Sequence, residues 1–286
     1  MQYLEYQPPA YFSQHLECFW EMTLTPEEVN NPFEVMSPDC TFEILFADRP
    51  VFIRSTSEKT WKQVLPGATF IGQKTSSFNF AVRGQAHVFG IRFKPFAFAN
   101  LIKTPLFHLN DQVQPLQDLF ELNRSDQKII QEILSPKEMD KKIELAEGLV
   151  LRLLKKSFSI DQTFRAQLNY ILDRKGMVKI NDLLTEFNTS KVTLRKHFIH
   201  KMGLPPKRVS RIWRMNYLLE LQKIKPAYNL TELCLEAGFF DQAHFTKEFK
   251  SFFSACPLRF FKQESQLVKI SQETIVRRFS HQYDPR

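Results

Sequence analysis

The sequence predicts an α+β chain of two domains: an N-terminal antiparallel β-barrel or sandwich with flanking helices, then a C-terminal all-α domain built as a double helix-turn-helix. Three observations predict it. Apolar residues alternate with period two between residues 33 and 93, their spacing turns helical after Pro95, and residues 163–262 contain an internal repeat. The implied boundaries are 1–115 for a β-rich domain and 116–160 for a helical connector. The double helix-turn-helix follows at 161–262 and a tail at 263–286.

In the first domain Phe42, Ile44 and Phe46 alternate with Thr41, Glu43 and Leu45. Phe78, Phe80 and Val82 alternate with Asn79 and Ala81, and His87, Phe89, Ile91 and Phe93 with Val88, Gly90 and Arg92. Such alternation sends one face of a strand into a core. Pro38-Asp39, Asp48-Arg49-Pro50, Pro66-Gly67 and Arg83-Gly84 punctuate the runs as turns. Many short strands at this spacing indicate a barrel or a sandwich. Trp20, Trp61 and the many Phe residues either fill its core or line an effector pocket, and a filled core is the commoner reason for such residues. Glu27-Glu28, beside Pro26, reads as a solvated loop.

Residues 95–102 and 116–157 show helical spacing. Leu116, Leu119 and Phe120 share a face, as do Ile129, Ile130 and Ile133, and later Ile143, Leu145, Leu149 and Leu153. Ser135-Pro136 separates the two longer helices, with Pro placed for a helix start. This pair either packs on the barrel or joins two copies of the chain. Residues 157–163 read as a short joint, and everything from 164 to 262 as helical.

The repeat is read from Ser190 and Asp241, both good N-cap residues. At equal distances beyond them stand Leu194 and Phe245, Lys196 and Lys247, Phe198 and Phe249, Gly203 and Ser254, Pro206 and Pro257, all at an offset of 51. Ahead of the caps, Ile180, Leu183, Leu184 and Asn188 match Leu230, Leu233, Cys234 and Gly238 at an offset of 50. The slip places one extra residue in the second turn, around Phe239-Phe240. Asn188 and Gly238 tolerate the left-handed conformation that closes a helix. Each unit is therefore a short helix, a tight turn and a capped second helix. Its outward residues are Lys191, Val192, Thr193, Arg195 and Lys196 in the first unit, and Gln242, Ala243, His244, Thr246 and Lys247 in the second. This is the part of a recognition helix that meets base edges in a major groove. Between the units Pro206 opens a long helix to about Lys223, with Arg208, Arg211 and Arg214 three apart on one side.

Charge is segregated in the same way. Residues 1–159 hold 17 Lys+Arg against 19 Asp+Glu, residues 160–262 hold 18 against 9, and residues 263–286 hold 4 against 3. A basic domain joined to a near-neutral one is the footprint of polyanion binding. Cys18, Cys40, Cys234 and Cys256 form no CxxC pair, and His15, His87 and His108 are scattered, so neither a metal site nor a disulfide framework is expected. No nucleotide-binding loop or hydrolase motif is present, and neither a catalytic set nor a cofactor is expected. The start of the chain lacks the pattern of a signal peptide and no apolar run suits a membrane span, so a cytoplasmic protein is expected.

These residues resemble the AraC/XylS family of regulators. The likeness runs from Lys179-Ile180-Asn181-Asp182-Leu183-Leu184 through Ser190 to Phe198 and Gly203-Leu204-Pro205-Pro206-Lys207, then from Ala237-Gly238-Phe239-Phe240-Asp241 to Lys250 and Cys256-Pro257. It departs at Leu184 and Cys234, where the family usually has Ala, at Asn188, where it has Gly, and at Lys247, where it has Arg. Residues such as Cys18-Phe19-Trp20 and Phe89-Gly90-Ile91-Arg92-Phe93 more weakly resemble a cupin-like domain found ahead of such regulators. The resemblance implies seven helices that enter adjacent major grooves of double-stranded promoter DNA, with RNA polymerase as a partner. A small-molecule effector and a second copy of the chain are candidate partners. The competing expectation is an enzyme or small-molecule-binding barrel with the helical part as an adaptor. The residues expected to touch DNA are Ser190, Lys191, Val192, Thr193, Arg195, Lys196, Arg208, Arg211, Arg214, Asp241, Gln242, Ala243, His244, Thr246 and Lys247.

Overall fold

A computed structural model describes residues 2–29, 35–57, 60–95, 97–102, 104–135, 138–153 and 161–262. Its N-terminal domain is a sandwich of two antiparallel sheets. The larger contains β1 (Gln2–Tyr6), β2 (Leu16–Leu24), β9 (Ala86–Phe93), β4 (Phe42–Ala47), β7 (Gly67–Ile71) and β10 (Val113–Pro115), in that spatial order. The smaller runs β3 (Val35–Met36), β8 (Phe78–Val82), β5 (Val51–Ser55), β6 (Lys62–Val64). Among the described residues the large sheet ends at β1 and β10, which do not pair with each other, so of the two expected forms this is the sandwich and not a closed barrel.

The large sheet is covered on both faces, which explains why every residue of β4 is buried. Phe19, Phe46, Phe89 and Ile91 face the helices, while Trp20, Met22, Leu45 and Val88 face the small sheet. Trp20 lies across Gly90, its strand partner. A Cβ on Gly90 would stand 2.1 Å from the indole, so only glycine fits beneath it. Arg92 sits inside the sandwich, donating to Glu43 at 2.6 Å and to Glu5 at 3.1 Å. Around Trp20 the sandwich is filled, leaving an enclosed void of about 20 Å³. Trp61 lies outside this core, half-exposed beneath the Arg54 guanidinium at 4.6 Å.

The connector forms α2 (Arg124–Leu134) and α3 (Met139–Leu153). Asn123 and Asp126 make a reciprocal capping box at the start of α2. Ile130, Ile133, Ala146, Leu149 and Val150 pack on the helix-facing side of the sheet, so this face of the pair is spent within the chain. Three expectations require correction. Residues 2–24 form two strands that the alternation analysis missed. Among the described residues of 95–102 the one helical element is a 3₁₀ turn at Phe98–Asn100, too short for the expected helix. Pro26–Val29 is α1, a one-turn helix opened by proline rather than a loop. The tail 263–286 lies outside the described residues, as does most of the expected joint at 157–163.

The C-terminal domain holds α4 (Gln162–Asp173), α5 (Ile180–Glu186), α6 (Lys191–Met202), α7 (Pro206–Ile224), α8 (Leu230–Glu236), α9 (Gln242–Phe253) and α10 (Pro257–Phe261). Their apolar faces share one core, with Trp213 and Leu218 of α7 at its centre. At ~1.5 Å per residue, α7 is a rod of about 28 Å joining the two units.

Candidate nucleic-acid interface

The two repeated units fold alike because their caps work alike. The Ser190 hydroxyl accepts from the Thr193 N–H at 3.0 Å, and the Asp241 carboxylate accepts from the His244 N–H at 2.6 Å. Each satisfies a backbone donor that would otherwise be orphaned at a helix start. The turns before them close through Asn188 at φ 42° and Gly238 at φ 68°. Both second helices end in left-handed residues, Gly203 at φ 79° and Ser254 at φ 52°.

Leu194 and Phe198 of α6, and Phe245 and Phe249 of α9, turn into the core. The opposite faces are open. Lys191, Val192, Thr193, Arg195 and Lys196 are exposed, as are Gln242, Ala243, His244 and Lys247, with Thr246 half-buried. Among the described residues Lys191, Arg195, Lys196, Gln242 and Lys247 make no side-chain hydrogen bond or ion pair. Gln242, Ala243, Thr246 and Lys247 line a shallow groove along α9, and Lys250 completes it. Sequence reasoning passed over Lys250, although it lies one turn beyond Thr246 on the same face. It also passed over Phe240, in the turn before Asp241, which is 87% exposed.

The three arginines of α7 do not join these faces. The Arg208 guanidinium lies 4.5 Å from the centre of the Phe252 ring and donates to the Thr75 carbonyl of the sandwich. Arg211 and Arg214 both meet Glu248, at 3.1 Å each, and the His244 ring approaches the same carboxylate at 3.3 Å. Glu248 is buried at 4% exposure, and these three partners surround its carboxylate. It stands seven residues past its cap. The equivalent residue of the first unit, His197, is likewise an anchor: its ring bridges Gln167 at 3.0 Å and Asp161 at 2.9 Å. Burial alone would raise the Asp161 carboxyl, but the Phe164 N–H, His197 and Lys201 outweigh it and hold it below its ordinary value. At Cys234, burial with Asp241 nearby pushes the thiol up to about 11, so it packs as a small neutral group.

The far ends of both capped helices rest on the sandwich. Gln73 donates to the Met202 carbonyl at 2.6 Å and Asn110 to the Gly203 carbonyl at 2.8 Å. Gly203 also needs its missing side chain, since a Cβ would come within 2.8 Å of the Leu106 backbone. At the end of α9 the Phe252 carbonyl accepts from the Ser77 N–H and hydroxyl. Asn216 of α7 donates to the Pro38 carbonyl at 2.9 Å. One stretch between β7 and β8, residues 73–77, thus reaches both units. It is braced from behind by Lys74 against Asp39 at 3.2 Å and by the Thr75 N–H donating to Asp111 at 2.7 Å.

Two family models match separate parts of the chain. Residues 183–263 match the model of a helix-turn-helix domain, and residues 4–115 match that of a domain of unknown function. The chain is 29% identical over 124 residues to the Msm operon regulatory protein of Streptococcus mutans, covering 42% of this chain and 43% of that one. It therefore spans less than half the length of the curated relative it matches. Among solved structures, ToxT from Vibrio cholerae is similar at 13% identity and a TM-score of 0.47, covering 85% of this chain and 98% of that one. The AraC-like transcriptional activator CuxR is similar at 11% identity and a TM-score of 0.26, covering 82% and 78%. Among the described residues no helix is long and apolar enough to cross a membrane, and no group of three or more His, Cys, Asp or Glu side chains is placed to hold a metal ion.

Proposed function

We propose that this chain, whose residues 183–263 form an AraC-type helix-turn-helix domain, is a transcription regulator that binds double-stranded promoter DNA by sequence. One observation carries the reading. Two capped helices leave their N-terminal faces open, with Lys191, Arg195, Lys196, Gln242 and Lys247 uncommitted among the described residues, while their opposite ends are anchored. In a major groove Arg195 offers a bidentate fork to guanine and Gln242 to adenine, and the Val192 and Ala243 methyls meet thymine methyls. Lys191, Lys196, Lys247 and Lys250 add attraction to phosphates. Ser190 and Asp241 act by fixing the helix starts. In this reading α7, at about 28 Å, spaces the units for successive grooves ~34 Å apart.

Arg208, Arg211 and Arg214 then act on DNA through the positions they impose on α9 and through their field. The N-terminal sandwich is the sensing domain, with a small molecule or a second copy of the chain as its modulator, and RNA polymerase is the downstream partner in the cytoplasm. The test is a footprint of the full chain on the DNA upstream of its own gene. Two protected stretches about one helical turn apart are expected. Protection of a single stretch, or none, would overturn the reading.

A further inference from the structure

A cleft of about 280 Å³ lies where α2 and α3 overhang the end of the large sheet. Its origin is a change of polarity along one face. On the helix-facing side of β2, β4 and β9, the rows holding Phe19, Ile44 and Ile91 are covered by the connector helices. One residue pair further along, the face keeps Phe46 and Phe89 as a buried floor, with Ile133 above. Glu21 of β2 flanks this row beside Phe89, and beyond it the face turns polar, with Thr23 on β2, His87 on β9 and Asp48 just past β4. The helices therefore hang over a surface they do not fill.

The charges in the cleft are separated and unspent. Glu21 accepts from the Tyr6 hydroxyl at 2.9 Å through one oxygen, and Asp48 accepts from the His87 N–H at 2.8 Å through one oxygen. The second oxygen of each has no partner among the described residues. Across the cleft stands Lys142 of α3, which makes no side-chain hydrogen bond or ion pair among the described residues. Negative charge on the strand side, positive charge on the helix side and an aromatic floor between them match one ligand chemistry. We propose that this cleft binds an amino-acid-like zwitterion with an apolar side chain. Its ammonium meets one strand-side carboxylate, Glu21 or Asp48, which stand two strands apart, its carboxylate meets Lys142, and its side chain lies over Phe46 and Phe89. The volume is at the small end of ligand sites, which suits a molecule of roughly a dozen non-hydrogen atoms. The site stands on the sandwich and the connector helices alone and holds whether or not the chain binds DNA.

The probes are L-phenylalanine, L-leucine, 2-phenylethylamine and 3-phenylpropionate, titrated calorimetrically into the full chain at neutral pH. One or both amino acids are expected to bind saturably, about tenfold or more tighter than either singly charged analogue. Lys142→Met is expected to abolish the preference for phenylalanine over phenylethylamine, and Glu21→Gln with Asp48→Asn to abolish that over phenylpropionate. Unchanged thermal melting of the unliganded variants establishes that they fold. No saturable binding of either amino acid, an analogue that binds as well as they do, or preferences that survive the substitutions overturns the proposal.

Discussion

Ser77 donates twice to one acceptor: its N–H at 2.7 Å and its hydroxyl at 2.9 Å both reach the carbonyl of Phe252, in the last turn of α9. A helix end leaves its last carbonyls without partners inside the helix. Here the sandwich supplies them. Ser77→Ala spares the N–H but removes the hydroxyl, which meets both the Phe252 carbonyl and, at 3.0 Å, the Thr56 hydroxyl, so it is expected to cost about 1–3 kcal/mol, the worth of two neutral hydrogen bonds. Urea unfolding of the two proteins measures the difference. A loss outside this range contradicts the count.

Gly203→Ala strikes the equivalent end of α6. The new methyl meets the Leu106 backbone and the residue must hold a φ of 79°. Steric and backbone penalties add, and the expected loss is about 2 kcal/mol or more. Asn110→Ala, which removes the donor to the Gly203 carbonyl, is expected to lose less than Gly203→Ala, and ranking the two by chemical denaturation checks this.

On the face proposed to meet DNA, Arg195→Ala is expected to weaken binding to a cognate site by about 1–3 kcal/mol and to relax the preference at one base position. Selection from randomised duplexes shows whether that position opens. An unaltered ranking of sites removes Arg195 from base reading.

Lys250→Ala is expected to behave differently. As a phosphate contact it lowers affinity on all sequences alike and reduces the slope of log affinity against log salt by about 1. Salt titrations of wild type and variant on two unrelated duplexes separate this from a base contact.

Asp161 links folding stability to acid. Its carboxyl titrates below the ordinary 3.8 in the folded chain, held down against its burial by the Phe164 N–H, His197 and Lys201. A depressed folded value stabilises the fold fully above about pH 4, and the benefit fades as pH falls through the depressed value. The gap in melting temperature between wild type and Asp161→Asn is therefore expected to be constant from pH 6 to about 5 and to close below about 4. A gap unchanged down to about pH 3 contradicts the linkage.

The C-terminal domain was readable because its signals are local. N-caps at Ser190 and Asp241, left-handed closers at Asn188 and Gly238, and the prolines after each stop act over a few residues. The extra residue in the second turn was readable for the same reason. The partners of Arg208, Arg211 and Arg214 were not, because spacing along α7 fixes a common side but not what that side meets. Glu248 comes from another helix and Thr75 from another domain. The strands at 2–24 were obscured because β2 is buried on both faces over Cys18–Trp20, which erases the alternation. Sandwich and barrel share one strand pattern, and only long-range pairing distinguishes them.

Residues 73–77 touch the ends of both capped helices while Asp39 and Asp111 brace them from behind. A shift of this short span therefore moves two distant grips together, as turning one key works two bolts. In the proposed mode of DNA binding, whatever displaces it alters the register between the two footprints on a duplex and leaves the surface that reads each footprint untouched.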